Sequence, residues 1–418
     1  MIHTSEINRM IPAEDVNRIL VLYFLEDGLK IPYEAAFRKL MGRLILDEKE
    51  RHTGTYLDDC NRKIPLNEYD CATKTLTLDP CVIGLGFNSV KLIRICQIKA
   101  RKKKNGIEYG VVNCLFYIRL EINPRTLYDP LDTITVDLYE ATPENNSWLQ
   151  LMFNSIMKST FCKYDNSLEY LCHLESWNCS RIDYTCNMKF NTAEEKDLFW
   201  KLTHKTSIYN RTTKKRIKGI KMMDQSAAEG NKSYKTLFYD KQDECEHTYQ
   251  NISQETKSRL LLETENVIRF EHQVHKNGIN TLMNRYKLPD RSIIHFLSED
   301  ISRRELLDRY DKMIGKGDFY HREEAKRIIR KNIIGEKNKE KLIQLLELLA
   351  QKRHVDKARA YFVNPSPPNQ IREFPLAHGN VKTFRERITS LRELGINPML
   401  ITDGCPVRFM KNPRYMLM

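Results

Sequence analysis

No stretch of this chain runs to about 18 apolar residues, so nothing in it reads as a membrane-spanning helix. The opening residues, MIHTSEINRMIP, lack a charged segment leading into an apolar core, so no signal peptide is expected. No Cys-x-x-Cys pair occurs among the 11 cysteines, and the seven-residue recurrence of Cys172, Cys179 and Cys186 fits no metal site. These thiols are expected to stay reduced in a cytoplasmic setting. There is no Gly-x-x-x-x-Gly-Lys-Ser/Thr loop, which excludes the common phosphate-binding motor. Low-complexity repeats are absent as well.

What is present is basic charge. The 418 residues, 41% hydrophobic and 29% charged, have the composition of about two or three folded domains. Sixty-eight Lys and Arg stand against 55 Asp and Glu, a formal net charge of +13. A folded chain with such an excess expects a polyanionic partner, nucleic acid ahead of a membrane surface. The excess is uneven. Residues 201–241 hold 11 Lys and Arg against 3 Asp and Glu, and residues 301–360 hold 17 against 10.

Periodicity predicts helices over 13–28 and 33–52, then strands in TLTLDP, VKLIRICQIKA and VVNCLFYIRLEINP. Asn105-Gly106 after a basic tetrad marks a hairpin turn between the last two. A helical stretch over 144–173, interrupted near Tyr164-Asp165, precedes a strand in CSRIDYTCNMKF and a helix in AEEKDLFWKLTH. Further strands are expected in KTLFYDK and NVIRFEHQVHK, with charged helices beyond residue 291. NPSPPNQ reads as a link to a last helix, TFRERITSLRELG, with Gly395 as its stop. Phe384, Ile388, Leu391 and Leu394 form its apolar face, and that helix either packs as a cap or lies on DNA. The fold class is α+β: a mainly antiparallel sheet body with packed helices over 1–290, a charged helical region over 291–363, and a C-terminal helix and tail over 371–418.

A triplet of arginine, apolar residue and acid recurs as Arg119-Leu120-Glu121, Arg181-Ile182-Asp183 and Arg269-Phe270-Glu271. Residues two apart share a strand face, so each triplet puts a guanidinium beside a carboxylate. Any single triplet is an ordinary surface ion pair worth little. Three suggest a polar sheet face on which carboxylates hold a hard divalent cation, Mg²⁺ or Mn²⁺, while the arginines orient them or reach phosphates. In KTLFYDK the same geometry aligns Lys235, Leu237, Tyr239 and Lys241, setting a phenol beside an ammonium. A tyrosine near a cation is a nucleophile for phosphorus, and attack on a phosphodiester gives a phosphotyrosyl link. Isolated Tyr-x-Lys is also common in half-buried structural strands. Tyr234, Tyr310 and Tyr320 compete for the role.

The blocks YIRLEINP, NCSRIDYTCN, KTLFYDKQDE and VIRFEHQVHKNGINTLMNRYKLP occur in that order over roughly residues 117–290, with TFRERITSLRELGINP near the end. Together they resemble the gene II/X family of rolling-circle replication initiators of filamentous phages and related plasmids. The resemblance implies a metal-dependent endonuclease and strand transferase. Such an enzyme nicks one strand of a double-stranded origin, stays joined to the 5′ phosphate, and later rejoins the displaced single strand. It further implies Tyr239 as nucleophile, Lys241 beside it, and Asp183 and Glu271 as the functional acids, with Glu121 as a third strand acid. Arg181, Arg269, Arg119 and Lys235 are the expected phosphate contacts. Many rolling-circle nucleases carry a His-apolar-His pair as metal ligands; this chain has none, leaving the carboxylates. With no motor loop, a host helicase and polymerase are expected partners. The alternatives are a non-catalytic DNA-binding replication regulator and a relaxase- or transposase-type nickase.

Overall fold

The structure is a computed structural model that describes residues 1–25, 30–41, 55–57, 63–65, 69–103, 106–129, 135–164, 166–203, 205, 226–230, 233–250, 252–364 and 373–417. In chain order the first elements are β1 (Ile2–Ile11), α1 (Ala13–Leu25), α2 (Tyr33–Met41), β2 (Thr55–Leu57), β3 (Lys63–Pro65) and β4 (Tyr69–Leu78). They are followed by β5 (Phe87–Lys103), β6 (Gly106–Ile122), α3 (Pro124–Tyr128), α4 (Pro143–Phe161), β7 (Asn178–Lys189) and α5 (Ala193–Thr203). Next come β8 (Ser226–Gly230), β9 (Tyr234–Asp240), α6 (Lys241–Thr248), α7 (Gln254–Glu263), β10 (Val267–His275) and α8 (Lys276–Tyr286). The last are α9 (Glu299–Met313), β11 (Phe319–Tyr320), α10 (Arg322–Asn332), α11 (Glu336–Lys352), α12 (Val355–Val363), α13 (Val381–Glu393) and β12 (Phe409–Met410).

The expected α+β class, with antiparallel pairing, packed helices and a helical C-terminal stretch, is what the chain adopts. Among the described residues no helix is long and apolar enough to cross a membrane. Two compact units form, each from two chain segments: residues 1–183 with 274–301, and residues 184–273 with 302–418.

In the first unit the strand order is β4-β5-β6-β1-β7. β4 with β5, β5 with β6, and β6 with β1 pair antiparallel, and Lys103 opposite Gly106 closes the expected hairpin. The turn residues 104 and 105 lie outside the described residues. One face is apolar, with Ile7, Val90, Leu92, Ile118, Leu120 and Ile182 buried. On the other face the register brings Glu6 opposite Glu121 and Asn8 opposite Arg119. β1 was not anticipated as a strand. Its sequence, IHTSEINRMI, buries Ile2, Thr4, Ser5, Ile7 and Ile11, mixing polar with apolar positions inside. That mixture blurs the two-residue alternation by which strands are read.

In the second unit β7 is followed by β10, β9 and β8. Phe238 of β9 and Phe270 of β10 stack with ring centroids 4.4 Å apart, and Tyr310 of α9 meets Phe270 edge-on at 5.8 Å. This aromatic core anchors one face of the two strands and turns the alternate residues to the other. The C-terminal helices build a second core, in which Phe384, Ile388 and Leu391 of α13 pack with Leu345, Leu346 and Leu349 of α11 and Phe362 of α12. The apolar face read from the sequence is therefore a packing face. Gly395, at φ +75°, stops α13 as expected, and Ile396 N–H returns to the Leu391 carbonyl at 2.9 Å. Leu391→Ala is expected to cost about 2–5 kcal/mol by leaving a cavity at a fully buried site, measured as a lower urea midpoint.

Several expectations fall outside the described residues: the end of the second helix beyond Met41, the basic segment over 206–225, and most of the Pro-rich link.

Candidate functional site

In the second unit, β9 and β10 present Tyr239 and Glu271 to each other. The Tyr239 hydroxyl donates to Glu271 Oε2 at 3.2 Å, and Gln273 Nε2 donates to Oε1 of the same carboxylate at 2.6 Å. Arg269, two residues before Glu271, is almost fully buried and donates its Nε–H to Asn187 Oδ1 at 2.8 Å. Its guanidinium also lies beside the Tyr239 hydroxyl. Burial, followed by the charge of Glu271, pushes the Tyr239 phenol well above its ordinary pKa, with Arg269 pulling partly the other way. The phenol is thus held neutral, with its proton directed at a carboxylate. From this position the phenol can hand its proton to the carboxylate.

Lys241 does not continue the strand. β9 ends at Asp240, whose Oδ1 accepts from Gln242 N at 3.0 Å and Asp243 N at 3.4 Å and so caps α6. Asp240 Oδ2 is tied to Lys196 at 2.7 Å. The cap carries Lys241 into the first helical turn, where it is buried and ion-paired with Glu244. Burial, then the neighbouring Arg269 charge, lowers its pKa. The cation set beside the phenol is therefore Arg269. The spacing of residues along KTLFYDK could not reveal it, because an N-cap aspartate reads equally well as a strand residue. Lys235 is half-buried on β9, in register with Gly230 of β8.

The competing tyrosines are engaged elsewhere. Tyr310 is fully buried and donates to Asn412 Oδ1 at 2.6 Å. Tyr234 lies on the opposite face of β9 from Tyr239, under the Arg309 guanidinium at 3.5 Å from its ring centroid. Tyr320 packs against Phe409 with ring centroids 5.2 Å apart.

The first unit holds a separate charged cluster around Arg181 on β7. Its Nε donates to Asp183 Oδ1 at 2.9 Å and its Nη2 to Oδ2, while Thr4 of β1 donates to Oδ2 as well. Nη1 donates to Glu6 at 3.4 Å and lies 3.9 Å from Glu121. Burial of Arg181 works against its charge, but Asp183, Glu121 and Glu6 outweigh it and raise its pKa. Thr4 and Glu6 belong to the strand that sequence reading missed. Arg119 is half-buried opposite Asn8 and Lys91, and among the described residues its buried Nε has no hydrogen-bond partner.

The three expected metal ligands are thus divided by their partners. Asp183 and Glu121 surround a guanidinium, and Glu271 holds a phenol and an amide. Among the described residues, no three His, Cys, Asp or Glu side chains gather as a metal-holding group. Asp183 is completely buried, so its loss would strand a largely buried cation. Asp183→Asn is expected to cost about 3 kcal/mol, checked by chemical denaturation.

No family model, curated protein or solved structure matches the chain, so the resemblance read above rests on its sequence blocks alone.

Proposed function

We propose that this protein initiates rolling-circle DNA replication by nicking one strand at an origin and later rejoining the displaced strand. The observation that carries the reading is the Tyr239–Glu271 hydrogen bond beside the Arg269 guanidinium. In this reading Tyr239 Oη attacks the scissile phosphorus and passes its proton to Glu271. The P–O3′ bond breaks, a 3′ hydroxyl forms with a proton from water, and the 5′ phosphate remains on Tyr239. Reversal by the 3′ hydroxyl of another strand end restores the phosphodiester, because the phosphotyrosyl link conserves the bond energy. Arg269 opposes the negative charge that gathers on the phosphate oxygens.

In this reading a divalent cation would be held by the Glu271 carboxylate, which lies beside the Tyr239 hydroxyl at 3.2 Å. Mg²⁺ commonly uses one or two carboxylates with substrate phosphates and water rather than an all-protein cage. When bound, Mg²⁺ or Mn²⁺ supplies polarisation of the scissile phosphate. The net charge of +13 supports binding to double-stranded origin DNA and to the displaced single strand. Strand separation and synthesis fall to a partner helicase and polymerase.

The test is incubation with a supercoiled plasmid bearing the origin of the chain's own genetic element, with Mg²⁺ or Mn²⁺. Nicked circles carrying protein on the 5′ end are expected, and chelation should abolish them. Salt-sensitive binding without any covalent adduct would favour a non-catalytic DNA-binding regulator.

A further inference from the structure

We propose that a cavity in the second unit, between Lys205, Arg353 and residues 398–403, binds a phosphate group. The phosphate is carried either by a nucleic-acid backbone or by a free phosphorylated molecule.

The cavity has a volume of about 380 Å³, with Leu349, Phe374 and Met399 on its apolar wall. That is the size of a small-ligand site. Its lining carries three cations, Lys205, Arg322 and Arg353, and three carboxylates, Glu347, Glu373 and Asp403. Arg322 is spent on Glu347 at 2.9 Å and Asp403 at 3.2 Å; Lys326 also holds Glu347, and His321 lies 3.0 Å from Asp403. Glu373 accepts from Gln351 at 2.8 Å. Among the described residues two cations on the lining, Lys205 and Arg353, make no ion pair. Lys205 Nζ donates to the Leu400 carbonyl at 2.7 Å, and its own carbonyl accepts from Val355 N at 3.1 Å, which fixes its backbone against the start of α12. Arg353 follows α11 at φ +52° and makes no ion pair among the described residues.

Lys205 is half-buried, where a counter-ion stabilises an ammonium. Lys205 has instead a second cation nearby. Burial, followed by the Arg353 charge, brings its pKa down to about 8. An anion between the two would neutralise both. Phosphate suits the pair, since a guanidinium grips two of its oxygens and an ammonium adds a point charge. The apolar wall leaves room for the sugar or base attached to it. None of this depends on Tyr239, so the proposal stands or falls separately from the nicking reading.

The test uses the full-length chain labelled briefly at pH 7.5 with an amine-acetylating N-hydroxysuccinimide ester, and Lys205 acetylation is followed by peptide mass spectrometry. Inorganic pyrophosphate and a short single-stranded oligonucleotide are the two probes. Protection of Lys205 by several-fold is expected from at least one of them. Protection by pyrophosphate alone assigns a free phosphorylated ligand, and protection by the oligonucleotide assigns a backbone phosphate. In Arg353→Gln, an exposed position whose replacement leaves the core untouched, the protecting probe should be needed at about tenfold higher concentration. Absence of protection by both probes overturns the proposal, as does protection that Arg353→Gln leaves unchanged.

Discussion

Tyr239→Phe will leave the chain folded and able to bind DNA, and will remove the covalent adduct. The substitution deletes one oxygen from a half-buried ring, so packing is nearly preserved. Its structural cost is the hydrogen bond to Glu271, and a buried acceptor losing a donor costs about 1–3 kcal/mol. Its chemical cost is far larger. Loss of a nucleophile typically lowers turnover by a factor on the order of 10³ or more. No water molecule can replace it for rejoining, since hydrolysis discards the bond energy. Strand transfer should therefore fall below detection while origin affinity changes little. Digestion of the wild-type adduct followed by mass spectrometry should find the nucleotide on the peptide containing Tyr239. A nucleotide on Tyr234 or Tyr320 would overturn the assignment. Tyr310 would be more surprising still, because it is enclosed by Phe238 and Phe270 and bonded to Asn412.

Glu271→Gln should lower the cleavage rate by about 10²–10⁴-fold, the usual worth of a positioned general base. Glutamine retains an oxygen to accept from the Tyr239 hydroxyl but cannot take its proton. The carboxylate must be ionised to act, so the wild-type rate should fall on acidification, and the variant should lose that dependence. DNA affinity should hold or rise, because one negative charge is removed. A fully active Glu271→Gln variant with the wild-type pH profile would exclude the proton-acceptor role. Lys241→Ala serves as contrast. With Lys241 tied to Glu244 and Arg269 beside the phenol, its effect on rate should be the smaller one.

Most strands and helices were legible, because their signals are local. The alternation in CSRIDYTCNMKF and the helical spacing in TFRERITSLRE need no distant partner, and β7 and α13 formed where expected. β1 was not legible. A strand flanked by others buries Thr4 and Ser5 along with its isoleucines, so its pattern is set by neighbours absent from the local sequence. With it went Thr4 and Glu6, two of the groups around Arg181. The interruption of β9 at Asp240 was hidden for another reason. A single aspartate acts as a cap only when the chain beyond it turns into a helix, and that turn moved Lys241 out of line.

The amino-acid order settled which residues share a strand face, where the basic charge accumulates, and that Arg181 stands beside Asp183 and Arg269 near Glu271. These follow from a two-residue repeat and covalent adjacency. Folding settled which groups meet across strands. Tyr239 and Glu271 are 32 residues apart and become partners only because the Phe238–Phe270 stack brings β9 and β10 together and turns both polar side chains to one face. The protonation of that tyrosine was likewise beyond the sequence. A phenol's pKa depends on how much water is removed around it and which charges remain, and both are properties of the packed chain.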